Sequence, residues 1–306
     1  MKKMKVLLLL AFMFSIFPTS LALADGDGDG DGDAIDEKDG PVIVVYGGNL
    51  TPAQKDETAR LLKVDQEKDV KEIVVTGEDI QKYINGDPNS RMFSSAKIKR
   101  LDEGKGIQVN IVTPENITEV TEEMYANALI TAGVKDALIE VASPVKVTGH
   151  SALTGIFKAY EAGGEELDTA RLEVADEELD VATKLAEEAG LDPDQVSRLL
   201  SEIKKAIAEN KPATKEDVEK IINDKLKDLG IHLTDEQKQW LIDLFDKIRK
   251  LDIDFGAWKN QLSSLSENLK KKLKEAGIDQ GFLDRVWAAV KSFFQKIAEV
   301  IKGFFE

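Results

Sequence analysis

Two stretches of this chain carry residue types at spacings that could do chemistry. The first is Asp25-Gly26-Asp27-Gly28-Asp29-Gly30-Asp31-Gly32-Asp33, with Asp36 just beyond it. Carboxylate oxygens are the ligands that calcium and magnesium prefer. One frame of this run imitates a calcium loop. Asp25, Asp27, Asp29, Asp31 and Asp33 fall at positions one, three, five, seven and nine, Gly30 at six and Asp36 at twelve. No helix can precede that frame, and Asp36 is shorter than the bidentate Glu such a loop needs. The run therefore reads as a cluster of metal-attracting carboxylates that takes up calcium or magnesium weakly, without a built cofactor site.

The second stretch is Thr148-Gly149-His150-Ser151-Ala152-Leu153-Thr154-Gly155, which joins a strand to a helix. A serine at such a turn resembles the nucleophile elbow of hydrolases, but Leu153 stands where the second glycine belongs. The other histidine, His232, falls far along the chain. No catalytic residue is assigned on this basis. Thr148, Gly149, His150 and Ser151 form a candidate ligand-binding set instead. A glycine turn at a helix start aims backbone N–H groups at an anion or carboxylate, with the hydroxyls of Thr148, Ser151 and Thr154 as further donors. The same residues also read as an ordinary N-capped helix with Gly149 making the turn.

The elements around these stretches follow from local patterns. Val42 to Tyr46 is an unbroken apolar run with the character of a strand buried on both faces. Thr51-Pro52-Ala53-Gln54 starts a helix with a capping threonine, proline at the first position and a returning glutamine. Val70 to Thr76 reads as a strand and Glu78 to Ile84 as a short helix. The pattern recurs with a strand over Gly106 to Val112, a Thr121-capped helix stopped by Gly133, a strand over Ala137 to Ala142 and a helix over Ser151 to Ala162. Two β-α-β-α units, by internal duplication, are expected, with largely parallel neighbours. The basic stretch Lys97-Ile98-Lys99-Arg100 is expected to be a solvated strand or loop.

Beyond Gly163 the strand pattern ends. Asp192, Thr214 and Thr234 open helices with apolar residues at helical spacing, Trp258 to Leu273 marks another, and Glu165 to Glu188 one more. Over Leu283 to Phe305, a wide apolar face lies opposite Lys291, Lys296 and Lys302. That face suits a buried bundle helix, a partner-docking helix or a membrane-surface helix. The fold class expected is α+β or α/β: an N-terminal mixed domain over residues 41–162 and an all-α helical bundle over 163–306. A disordered acidic arm over 25–40 precedes them.

The beginning of the chain gives an address. Lys2, Lys3 and Lys5 precede the apolar run Val6 to Phe17, and Ala22-Leu23-Ala24 is a small-x-small cleavage site. Residues 1–24 read as a signal peptide, with Asp25 as the mature N-terminus. The formal net charge is −16, and loss of the leader's three lysines brings the mature chain to about −19. Such a field repels nucleic acid. The absence of cysteine excludes disulfides and thiolate chemistry. No dinucleotide, P-loop or zinc-protease motif occurs, and no transmembrane span is expected in the mature chain.

One longer resemblance stands out. The stretch EEMYANALITAGVKDALIEVASPVKVTGHSALTGIFKAYE, Glu122 to Glu161, resembles the secreted bacterial proteins grouped as domain of unknown function 1002. GGNLTPAQKDETARLL, Gly47 to Leu62, fits the opening of that family. The resemblance implies an extracytoplasmic, cell-envelope location and no established reaction or site residues. The expected role is non-enzymatic binding or structure at the cell envelope, with a cell-wall polymer, an envelope protein or divalent cations as partners. An envelope hydrolase acting through Ser151 and peripheral membrane attachment through the last helix stand as alternatives.

Overall fold

The computed structural model describes residues 41–275. The leader, the Asp25–Asp36 carboxylates and the Leu283–Phe305 face lie outside the described residues.

Strand β1 (Val42–Gly47) is followed by helix α1 (Pro52–Leu61), a 3-10 turn (Val64–Gln66), strand β2 (Val70–Val75) and helix α2 (Gly77–Ile84). Strands β3 (Ser95–Arg100) and β4 (Ile107–Ile111), helix α3 (Glu122–Ala132), strand β5 (Ala137–Ala142) and helix α4 (Ser151–Ala162) come next. Helices α5 (Thr169–Glu188), α6 (Pro193–Asn210), α7 (Lys215–Leu229), α8 (Asp235–Ile248) and α9 (Phe255–Glu275) complete the described chain. The caps expected from the sequence are in place. Thr51 and Gln54 form a reciprocal capping box with Pro52 at the helix start, and the Thr121 hydroxyl accepts from the Met124 amide. Gly133 closes α3 at φ 91°, a conformation that costs glycine nothing.

The five strands form one mixed sheet in the order β2-β1-β3-β5-β4. Pairs β1–β2 and β4–β5 are parallel, as their helical crossovers require, but β3 runs antiparallel to both neighbours. The expectation of largely parallel neighbours is corrected here: the strand expected to be solvated is the middle strand of the sheet. Its alternation explains the difference. Ala96 and Ile98 are buried on one face, while Lys97 points to the other and looks solvent-seeking in a sequence. In fact Lys97 is buried. Its ammonium lies 2.7 Å from Glu140 and 3.1 Å from Glu67 and donates to the Leu62 carbonyl. Burial alone would lower its pKa, but the hydrogen bonds to Glu140 and Glu67 outweigh that and hold it above the ordinary lysine value.

The two sheet faces are covered differently. Helix α1 lies over Val42, Val44 and Tyr46, closing a small cluster with Leu62 and Ala142. Helices α3 and α4 lie on the face of Ile43, Val45, Ile98, Ile139 and Val141. That apolar cluster continues without a break into α5, α6, α7, α8 and the start of α9. Each aliphatic side chain so buried contributes about 1.5–3 kcal/mol of transfer free energy.

Helix α5 is fixed in place by a buried polar hub. Lys204 on α6 and Glu178 on α5 are 0% and 1% exposed, with Nζ 2.5 Å from Oε1 as an ion pair. The Thr131 hydroxyl donates to the other Glu178 oxygen, and Lys204 also donates to the Asn127 carbonyl. Arg171 and the Trp258 indole N–H both donate to the Ile130 carbonyl, tying α5 and α9 to the C-terminal turn of α3. Burial pulls the Lys204 pKa below the ordinary value despite the Glu178 charge.

Candidate functional site

In parallel α/β sheets, ligand sites form where the loops leave the C-terminal ends of the strands, at a change of strand order. Here the inserted β3 separates the two parallel pairs, and a cleft of about 710 Å³ opens at that end. Three segments build it: α2 and the 85–94 connection, the 143–150 connection with the first residue of α4, and one face of α5. Its apolar wall is Ile80, Ile84, Phe93, Val145 and Val147. Its polar side chains are Asp87, Ser90, Arg91, Lys146, Thr148, His150, Ser151, Asp176 and Asp180.

The connections are held stiffly. After β5, Ser143 receives a hydrogen bond from Asn116 at its carbonyl, donates its amide to Thr113 Oγ1 and turns its hydroxyl onto the Val145 carbonyl. Val147 pairs with Ile117 as a parallel bridge. Gly149 follows at φ 112°, where a Cβ would lie 2.8 Å from both Ile117 Cγ2 and Tyr125 Oη. The Tyr125 hydroxyl donates to the Gly149 carbonyl at 2.5 Å. On the other side, Asn49 and Met92 exchange two hydrogen bonds that tie the 85–94 connection to the exit of β1.

Of the sequence-predicted set, Thr148, His150 and Ser151 line the cleft, whereas Gly149 is buried behind it. The α4 start has no side-chain cap: His150 occupies the cap position in helical conformation without capping. That differs from the ordinary N-capped reading. Thr154 contributes nothing at the mouth. It sits in the first turn of α4, fully buried, and its hydroxyl has no partner. The close helix-to-strand approach that an elbow glycine would give is supplied by Gly155, whose absent Cβ would meet Val45 Cγ1 at 3.2 Å.

The ring of His150 is committed away from Ser151. Nδ1 lies 3.2 Å from Thr148 Oγ1, and Nε2 lies 3.4 Å from Thr183 Oγ1 and from Asp180 Oδ1. A nucleophile needs its base within hydrogen-bond reach, and the hydrogen bonds here serve to anchor the ring to α5. His232 lies in the α7–α8 connection, away from the cleft lining.

The residues that sequence reading missed are Asp176 and Asp180, one turn apart on α5. Burial, and then the neighbouring Asp180 charge, push the Asp176 carboxyl up to about 7. Nothing in an acidic helix distinguishes these two from their many neighbours. Only the packing of α5 against α2 and α3 selects them. Among the described residues, no three His, Asp and Glu side chains are arranged to hold a metal ion.

A family described as "Protein of unknown function (DUF1002)" matches residues 46–265. The chain belongs to the DUF1002 family. A relative from Bacillus subtilis (strain 168), "Uncharacterized protein YpuA", is 34% identical over 274 residues, spanning 85% of this chain and 92% of the relative. No solved structure matches. The matched range covers every element that lines the cleft, so the family domain contains the whole candidate site. Among the described residues no helix is long and apolar enough to cross a membrane.

Proposed function

We propose that this DUF1002 protein is an exported cell-envelope binding protein whose ligand occupies the cleft at the strand ends. The observation that carries the reading is the lining itself. Charged and hydroxyl side chains from three separate segments converge on a concave, apolar-walled space, the usual form of a small-ligand site. The commitment of His150 to Thr148, Thr183 and Asp180 favours binding over acyl transfer at Ser151. The lysine-led leader and its small-x-small site support export, and the acidic arm suits a mature N-terminus outside the cytoplasm.

The test is co-sedimentation of the mature chain with isolated cell walls, comparing wild type with Asp176→Asn and with Arg91→Ala/Lys146→Ala. Retention is expected for wild type and loss for both variants. Equal retention of all three would place the binding elsewhere. A serine-reactive fluorophosphonate probe is expected to leave Ser151 unlabelled; labelling abolished by Ser151→Ala would turn the reading to hydrolysis.

A further inference from the structure

Four charged side chains in the cleft have no ion-pair partner among the described residues: Asp87 and Asp176, Arg91 and Lys146. Their neighbours do pair. Lys158 binds Asp79 at 2.8 Å and Lys82 binds Glu161 at 2.6 Å. Arg91 stands only against the Phe93 ring, 5.8 Å from its centroid. Cations and a carboxylate in one cleft that do not neutralise each other leave both signs available to a third molecule.

We propose that the cleft takes a small zwitterion, carrying a primary ammonium and a carboxylate on a short scaffold, of the amino-acid or short-peptide class. The inference rests on the cleft being the binding site and adds the chemistry of its occupant. The ammonium end falls to Asp176 with Asp180 beside it, the carboxylate end to Arg91 and Lys146. The Ile80, Ile84 and Phe93 wall meets the carbon scaffold. A simple anion is disfavoured by three lining carboxylates, Asp87 among them, and a simple cation by Arg91 and Lys146. A volume of about 710 Å³ accommodates an amino acid or short peptide and falls in the range of small-molecule sites. A partly desolvated carboxylate such as Asp176 forms a stronger charge-assisted bond to an ammonium than an exposed one does.

Calorimetry on the mature chain tests this with alanine, alanylalanine, N-acetyl-alanylalanine and alanylalaninamide. The ligand with both termini free is expected to bind best, and blocking either end to weaken binding by about tenfold or more. Tighter binding of alanine or of alanylalanine separates the amino-acid from the peptide source. Asp176→Asn should erase the preference for a free amine and keep the preference for a free carboxylate. Arg91→Ala/Lys146→Ala, at exposed positions that leave the fold intact, should do the reverse. Equal binding of blocked and free dipeptides overturns the inference. Cell-wall retention that is lost in the cleft variants but not competed by any of these probes also overturns it, while the cleft reading stands. Retention indifferent to the cleft variants removes both.

Discussion

At the scale of single residues, two carboxylates on α5 differ because only Glu178 has an ion-pair partner. Glu178 is neutralised by Lys204, so removing one member strands the other. Lys204→Met is expected to cost about 3–5 kcal/mol in urea unfolding, and Lys204→Met/Glu178→Met to recover more than half of it. A single-variant cost below about 1 kcal/mol would show that the pair does not hold α5 and α6 together. Asp176 has no such partner, and its proton is retained to about pH 7. Below about pH 4 the carboxyl is protonated in folded and unfolded chains and contributes nothing. Between there and about 7 only the unfolded chain ionises, so stability falls as pH rises; above that the loss is complete. Asp176→Asn should therefore stabilise the protein in mildly alkaline buffer, with the difference vanishing in acid. A pH-independent difference in thermal midpoint would argue that Asp176 is solvated in the folded state.

At the scale of elements, the β5–α4 connection depends on one conformation. Gly149→Ala must place a Cβ at positive φ against Ile117 and Tyr125, and the strain and overpacking together are expected to cost about 2–4 kcal/mol. Tyr125→Phe, which removes only the bond to the Gly149 carbonyl, should cost about 1 kcal/mol. Chemical denaturation of both variants checks the order; a larger loss for Tyr125→Phe would mean that the hydroxyl, not the glycine, sets the turn. What is legible in the sequence tracks the strength of local rules. Thr51, Pro52, Thr121 and Gly133 place their helices because capping is decided within a few residues. Strand β3 looks solvated in sequence because Lys97 is satisfied by Glu140 and Glu67, partners distant along the chain. A clue does exist: Lys97 and Glu140 are opposite charges set in the middle of strand-forming runs, and they are register partners. The candidate site divides in the same way. Thr148, His150 and Ser151 stand out at a turn, while Asp176 and Asp180 acquire meaning only from where α5 packs.

At the scale of the whole molecule, the sheet and the later helices share one continuous apolar cluster. Residues 41–162 alone would bare the α3 side chains that α5 and α6 cover. We expect a single cooperative transition in calorimetry, with equal calorimetric and van't Hoff enthalpies. Two separated transitions would show that the sheet region and the helical region are independent folding units. Both regions are visible in the sequence; that they are one core is not, because amphipathic helices look alike whatever they cover.

The central position of β3 has a kinetic consequence. Lys97 lies opposite Val44, 53 positions earlier, and opposite Glu140, 43 positions later. A chain emerging from its N-terminus during synthesis can zip β1 to β2 early. It cannot complete the sheet until β5 has emerged, and such long-range closures are slow. Until then one edge of the nascent sheet remains open.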